Sequence, residues 1–587
     1  MNPAPAGQFR DTLTAAALFL ATTGFTLWQN TRIAILWDIS YLLDSSFRIS
    51  LGQIPYRDFP FAHAPLTFLL HAAIIKLFGR VYLPHILCAA LEAGAATVLT
   101  WRILIKLVQK DVMVRKGSEV VILAQPESPP LPSAQPTSRP WLLATILAAP
   151  LSVLGIYAIY PHPIYDSDCI LAVLFALYLL QRADQNPIRN ALAGSACVLP
   201  LFTKQNIGLP FLLITLLTVA TITAIRRLQR SPIAPQLCFF AAAAATLAVA
   251  LLFIHVTAGV HKYFYWTITF AAERRLPGFR LILDTYRQTS LLWTIPAALA
   301  GLAILRADSL RSKPWARPTA ILLLGFPFLW TVADLALTND PDDRADQLLS
   351  LWPHLLLLAA ALAIYNLRPR ALLTNPTLNT LLPLILLATI HGTFLSQQLW
   401  GSSYALWPLL TLLIAAMLAQ VPTIARPLAT IIVASFLLCG SLYAISHERL
   451  EYVQLDGAES HSTLSQLRGL NTPGPWIPAF EELVRFTNAE IPVNDGILLL
   501  PGEDPFYFAT GRTPQFPILL FDPATDPYTP QETLDQARAH NIRWLIVTRN
   551  LQLTAPPKPD LPEALRILQQ EFVPYRTLTD YDIYRRK

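Results

Sequence analysis

Thirteen apolar runs, at 12–36, 81–107, 141–160, 169–180, 191–202, 207–225, 233–258, 291–305, 319–337, 348–367, 378–395, 404–421 and 427–445, fill most of the chain before residue 446. Runs of this kind leave few folds open. A backbone crossing hydrocarbon must satisfy its own N–H and C=O groups, which a continuous helix does internally, and a crossing helix needs about 20 mostly apolar residues. Several runs are shorter than that, so their polar ends must belong to the helices. Composition agrees, with 53% of 587 residues hydrophobic and 14% charged, against roughly 25% charged in soluble domains. The expectation is an all-α polytopic membrane domain over residues 1–446, with about 13 transmembrane helices. The run 12–36 follows Arg10, is longer than a signal-peptide core and lacks a small-residue cleavage site, so it reads as a retained first span.

Basic residues orient the runs. Clusters follow every even-numbered one: Arg102, Lys106, Lys110, Arg115 and Lys116, then Arg182 and Arg189, then Arg226, Arg227 and Arg230. The series continues with Arg306, Arg311, Lys313 and Arg317, then Arg368 and Arg370, then Arg426. Loops rich in Lys and Arg stay in the cytoplasm, so the N-terminus is expected inside and the tail outside. The net charge of +6 is accounted for by these clusters, which argues against a nucleic-acid partner. Segment 109–140, rich in Pro and Ser, reads as an extended cytoplasmic linker. The five cysteines lie in or beside apolar runs without the paired spacing of zinc or disulfide frameworks.

The first gap, 37–79, concentrates acids, arginines, aromatics and a histidine in an otherwise greasy chain. Asp38 directly follows the apolar residues 33–37, at an outer membrane boundary where partial burial suits a general base; any span must also end in something polar. Segment 66–78 is apolar but about half a span long and carries His71 and Lys76, which favours a helix lying on the outer membrane surface. After residue 446 the composition turns soluble. Helix signals near 478–486, 529–540 and 562–572, and strand signals at 496–500, 544–548 and 578–584, predict a small extracytoplasmic α/β domain over 447–587. It shows no phosphate-binding glycine loop, and its expected role is to cap or gate the outer face or simply to stabilise it.

The string 37–79 resembles the first extracytoplasmic loop of the GT-C glycosyltransferases, in particular the bacterial branch related to protein mannosyltransferases and to the aminoarabinose transferase of lipid A. An acid follows the first span, then "G-x-x-PY-x-DF", then "H-x-PL", then a helix ending "LFG". Here these are Asp38, Gly52 to Phe59, His63-Ala64-Pro65-Leu66 and Leu77-Phe78-Gly79. One departure is Ile39, where many members carry a second acid. The resemblance implies a GT-C-like membrane enzyme that moves a sugar from a polyprenyl-phosphate-linked donor to an acceptor on the extracytoplasmic face, with inversion. It makes Asp38 the catalytic base and gives Asp58 and His63 a place in the substrate pocket, the alternative for each being a hydrogen bond that stabilises the loop.

Four other features fit that resemblance. The second loop, 160–168, holds Asp166 and Asp168, which would orient the acceptor or hold a divalent cation; Asp168 could otherwise be the N-cap of the next span. No other cofactor is implied. Lys204, between two apolar half-segments, resembles the family's lysine near the lipid phosphate. Arg274 and Arg275 stand on the outer side beside aromatics, against the positive-inside trend, where they could hold a phosphate or pair with nearby acids and headgroups. Gln397, Gln398 and Tyr404 are candidates for contact with a sugar, while the acidic loop 339–346 lacks the order of a calcium loop and reads as solvated. The acceptor, whether glycan, lipid or protein, is not specified. A lipid-linked saccharide flippase or transporter is the alternative, and would place its ionisable residues near the midplane.

Overall fold

The structure, a computed structural model, describes residues 6–30, 36–122, 140–183, 186–338, 344–369, 373, 377–396, 404–446, 458–523, 525–552 and 559–587, with the backbone alone at 6–7, 109–122, 275 and 344–346. The expected runs form helices. They are α1 (Ala6–Asn30), α4 (Leu83–Ile122), α5 (Pro140–Ala148), α6 (Tyr165–Ala183), α7 (Pro187–Thr203), α8 (Gln205–Leu228), α9 (Ala234–Thr257), α10 (Leu291–Arg306), α11 (Ala316–Leu337), α12 (Trp352–Asn366), α13 (Leu378–Thr393), α14 (Trp407–Leu418) and α15 (Ala425–Ile445). Between α1 and α4 lie α2 (Leu36–Ser50) and α3 (Leu66–Phe78). Among the described residues six helices are long and apolar enough to cross a membrane, or seven if the pair Phe279–Arg287 and Leu291–Arg306, bent by 60°, counts as one span. The thirteen expected crossings thus include helices well short of a bilayer, such as α13 and α14.

Two spans differ from expectation. The first is described as helix over Ala6–Asn30 and again over Leu36–Ser50, so Asp38 lies within the helix α2, which runs on to Ser50, rather than just past the end of an apolar run. In the third, α5 gives way to a 3₁₀ turn at Ala149–Ser152, and the chain then reaches Tyr160 through turns. Pro150 explains the early end, since it has no N–H to continue the helix.

The tail domain is built on a four-stranded sheet of β3 (Gly496–Leu500), β4 (Ile542–Thr548), β6 (Tyr581–Arg586) and β5 (Phe572–Thr577), in that spatial order, preceded by a small hairpin of β1 (Glu459–His461) and β2 (Asn471–Pro473). β3 and β4 are parallel, and the other neighbours antiparallel. Helices α16 (Trp476–Glu490), α17 (Phe506–Thr510), α18 (Pro530–Ala539) and α19 (Leu561–Leu568) pack around the sheet. Thr529 starts α18 with a capping box to Glu532, which satisfies two otherwise orphan amides.

α2 ties the two parts together. Leu36, Ile39, Leu43 and Phe47 recur at helical spacing and share one core with Ile75, Tyr82 and Ile86 and with Phe480, Phe506, Phe508 and Trp544 of the tail domain. Its polar face is also claimed by that domain. Asp44 accepts from the amides of Tyr507 (3.1 Å) and Phe508 (2.7 Å), Ser40 donates to the Gly502 carbonyl (2.8 Å), and Arg48 donates to the carbonyls of Phe516 (3.1 Å) and Pro517 (2.6 Å).

Candidate active site

Asp38 sits at the mouth formed by α2 and the loop before α6. Its carboxylate lies 3.9 Å from Nε2 of fully buried His162, and the amide of the preceding Trp37 donates to Gln552 of the tail domain at 3.2 Å. One turn on from Asp38, the Tyr41 hydroxyl meets Nδ1 of His63 at 2.9 Å. The His63 ring lies 4.7 Å from that of Tyr165, and the ammonium of Lys204 stands 4.7 Å from the centre of the Tyr165 ring, a cation–π contact. Lys204 then closes an ion pair with Asp166. A run of contacts therefore joins Tyr41, His63, Tyr165, Lys204 and Asp166 at one end of the bundle, with Asp38 one helical turn before Tyr41.

Lys204 reaches this position through a break in the helix. Its backbone is extended between α7 and α8, and α8 folds back tightly enough that a Cβ on Gly208 would lie 2.2 Å from the Leu201 nitrogen and the Pro200 carbonyl carbon. Only glycine allows that approach. The first turn of α8 also grips the first loop, because Gln205 donates to the Ala62 carbonyl (3.0 Å) and the Thr267 carbonyl (3.1 Å). Lys204 and Asp166 are each under a tenth exposed, a setting in which either charge alone would be costly and the pair is tolerated.

Asp168 is not the N-cap of α6. It lies within the first turn, where Thr67 donates to it at 2.6 Å and the Tyr157 hydroxyl lies 3.1 Å away. The same hydroxyl is 2.9 Å from Glu92, a carboxyl inside α4. Glu92 and Asp168 line a cavity of about 500 Å³ whose other walls include Leu66, Leu70, Leu171 and Phe175.

Asp58 takes the loop-stabilising alternative. It pairs with Arg57 (2.8 Å) and accepts from the Ile54 amide (2.7 Å), and the Arg57 hydrogen bond holds its carboxyl below the usual carboxylate range. The turn it fastens puts Tyr56 at φ 68°, strained for a residue with a side chain. The Tyr56 hydroxyl is anchored on the His63 carbonyl at 2.6 Å. Arg274 is likewise engaged elsewhere, stacking 4.7 Å from the Phe270 ring and donating to the carbonyls of Asp526 (3.0 Å) and Pro523 (3.3 Å) in the tail domain. The Arg275 side chain, the loop 339–343 and residues Gln397 and Gln398 lie outside the described residues. Tyr404 is described, its ring 4.7 Å from Tyr160. Among the described residues no three His, Cys, Asp or Glu side chains come together as a metal-holding group.

His162, Tyr41, Tyr165 and Glu92 are absent from the residues expected at the site. His162 and Tyr165 stand within the string that drew attention to Asp166 and Asp168, so the signal was local. Glu92 is a single acid in an apolar run, and intramembrane acids are functional candidates by default.

No family profile and no curated protein matches the chain. Among solved structures it is similar to ArnT from Cupriavidus metallidurans bound to undecaprenyl phosphate, at 9% identity and TM-score 0.43 over 99% of this chain and 98% of that one. The apo form of the same protein matches at 11% identity and TM-score 0.43, with the same coverage. The archaeal oligosaccharyltransferase AglB from Archaeoglobus fulgidus, in complex with an inhibitory peptide and a dolichol-phosphate, matches at 10% identity and TM-score 0.44, over 91% of this chain and 69% of that one.

Proposed function

We propose that the chain is a membrane glycosyltransferase of the GT-C type, with about thirteen crossings, its N-terminus in the cytoplasm, and its site and tail domain outside. It takes a sugar from a polyprenyl-phosphate donor and passes it, with inversion, to an acceptor hydroxyl. One observation carries the reading: Asp38, backed by His162, and Lys204, paired with Asp166, share one mouth through Tyr41, His63 and Tyr165.

The residues divide the work as follows. The acceptor oxygen attacks the anomeric carbon from the face opposite the phosphate. Its proton passes to the Asp38 carboxylate, and the bond from that carbon to the phosphate oxygen breaks with its electron pair staying on the phosphate. Lys204 stabilises the charge that develops there; an ammonium carries three N–H donors, so contact with Asp166 is compatible with binding phosphate. Asp166 holds Lys204 in place, and His63 and Tyr165 form the wall between base and cation. Asp58 and Arg274 support the loops rather than touch substrate. Asp168 serves with Glu92 in the adjoining cavity.

The test supplies purified full-length protein with a panel of polyprenyl-phosphate sugars and compares it with Asp38→Asn. Loss of roughly 10²–10⁴-fold in transfer by a folded variant is expected for removal of a general base. Equal release of lipid phosphate by the variant would overturn the role of Asp38. The flippase or transporter reading draws on Glu92, a carboxyl inside a span, and release from no donor by the wild type would favour it.

A further inference from the structure

A second cavity, of about 290 Å³, lies between α10, α11, α12, α14 and α15, away from the carboxylate mouth. Its walls are largely leucine, from Leu299 and Leu302 through Leu355 and Leu358 to Leu428. Polar groups collect where α10, α12 and α14 end: Arg306, Tyr365 and Gln420. This is the end of the bundle opposite Lys204, because Lys204 caps the end of α7 whereas α10 finishes at Arg306 after three further helices, α8, α9 and α10, each running counter to the one before. Arg306 is exposed and, among the described residues, makes no ion pair. Arg368 adds a second cation 4.5 Å from the Tyr365 ring.

We infer that this cleft holds one phospholipid with an anionic headgroup, its acyl chain among the leucines and its phosphate at Arg306. Three points lead there. First, a cleft between apolar helices of a membrane-embedded bundle has hydrocarbon as its solvent, and leucine walls match an acyl chain. Second, apart from His354 the polar groups of the lining gather at one end, which suits an amphiphile and not a wholly apolar filler. Third, those groups are cationic or neutral donors, and basic pockets between helices at the cytoplasmic side bind anionic headgroups. His354, a buried residue three positions into α12, marks the far end. From there to Tyr365 is 11 residues, about 16 Å along a helix at 1.5 Å per residue, room for a substantial length of chain. The site is independent of the proposed transfer reaction; only the leaflet rests on the orientation given above.

The test uses full-length protein stripped of lipid in detergent, to which phosphatidylglycerol or phosphatidylcholine with matched chains is added, retained lipid being counted by native mass spectrometry. Wild type is expected to keep one phosphatidylglycerol with about fivefold preference over phosphatidylcholine, the worth of one basic group near a headgroup. Arg306→Gln should lose the preference while Arg317→Gln, which alters a basic residue of the same end outside the cleft, keeps it. Leu358→Trp, which fills the cleft, should retain neither lipid at this stoichiometry. Equal retention of both lipids by wild type, an Arg306→Gln variant that still discriminates, or equal losses in Arg306→Gln and Arg317→Gln would each overturn the inference. Unfolding temperatures identify any variant that misfolds, and Arg306→Lys, which keeps the charge, then serves in its place: retained preference supports the site and lost preference counts against it.

Discussion

At the scale of single residues, Lys204 and Asp166 make the sharpest prediction. Each is buried and each answers the other's charge, so Lys204→Met strands a carboxylate and should cost about 3–5 kcal/mol, seen as a lower unfolding temperature. Adding Asp166→Asn should restore most of that stability without restoring transfer. A single variant as stable as wild type would show that the pair is not buried as described. Gly208→Ala is the backbone counterpart: with only 2.2 Å to the neighbouring backbone, overpacking should cost about 1–3 kcal/mol and weaken donor binding by shifting Lys204. Retained thermal stability and an unchanged KM would contradict it. The lysine was legible in the sequence because it interrupts an apolar run. Asp166 was legible too, but their pairing was not, since nothing in the spacing of positions 166 and 204 says that their helix ends lie side by side.

At the scale of elements, α2 is the hinge between chemistry and support. It carries Asp38 on one side while its apolar stripe and Asp44 are held by the tail domain. Three acids at this interface hold their protons to higher pH than free carboxyls do. Burial pushes Asp44 and Glu503 up to about 8 and Asp504 to about 7, with neighbouring acids adding to the rise. Their unfolded values lie near 4, so the folded chain holds protons that the unfolded chain has released. The stability these three acids contribute is therefore fully present below about pH 4 and is lost as pH rises to about 8. Hydrogen exchange of the α2 amides in the full-length protein should accelerate between pH 6 and 8.5 beyond the intrinsic base-catalysed rise, and Asp44→Asn together with Glu503→Gln should flatten that excess. A pH-independent opening of α2 in the wild type would count against docking through protonated acids.

At the scale of the whole molecule, the bundle has two chemically different ends. Aromatics, acids and Lys204 gather at one; basic residues such as Arg102, Arg226, Arg227, Arg306 and Arg311 gather at the other. Single cysteines at Val493 in the tail domain and at Arg230 after α8, both exposed, in a chain lacking the five native cysteines, test the orientation. A membrane-impermeant maleimide applied to intact cells should label position 493 and spare 230; the opposite pattern would invert the topology and move the site to the cytoplasm.

Sequence by itself determined what is local and periodic. Apolar runs became helices because a 3.6-residue repeat of greasy side chains needs no distant partner to be recognised, and α3 and β3 have the expected limits. Thr529 and Glu532 announced their capping box in the same way. The first-loop pattern drew attention to Asp38 and His63, while the turn it encodes turned out to employ Asp58 as a fastener. Only the tertiary structure decided the rest: that residues 36–50 form a helix keyed into a domain more than 400 residues later in the chain, that His162 backs Asp38, and that Glu92 meets Asp168. Those pairings depend on which helix ends become neighbours. That is settled by packing between distant segments, and one-dimensional spacing carries no record of it.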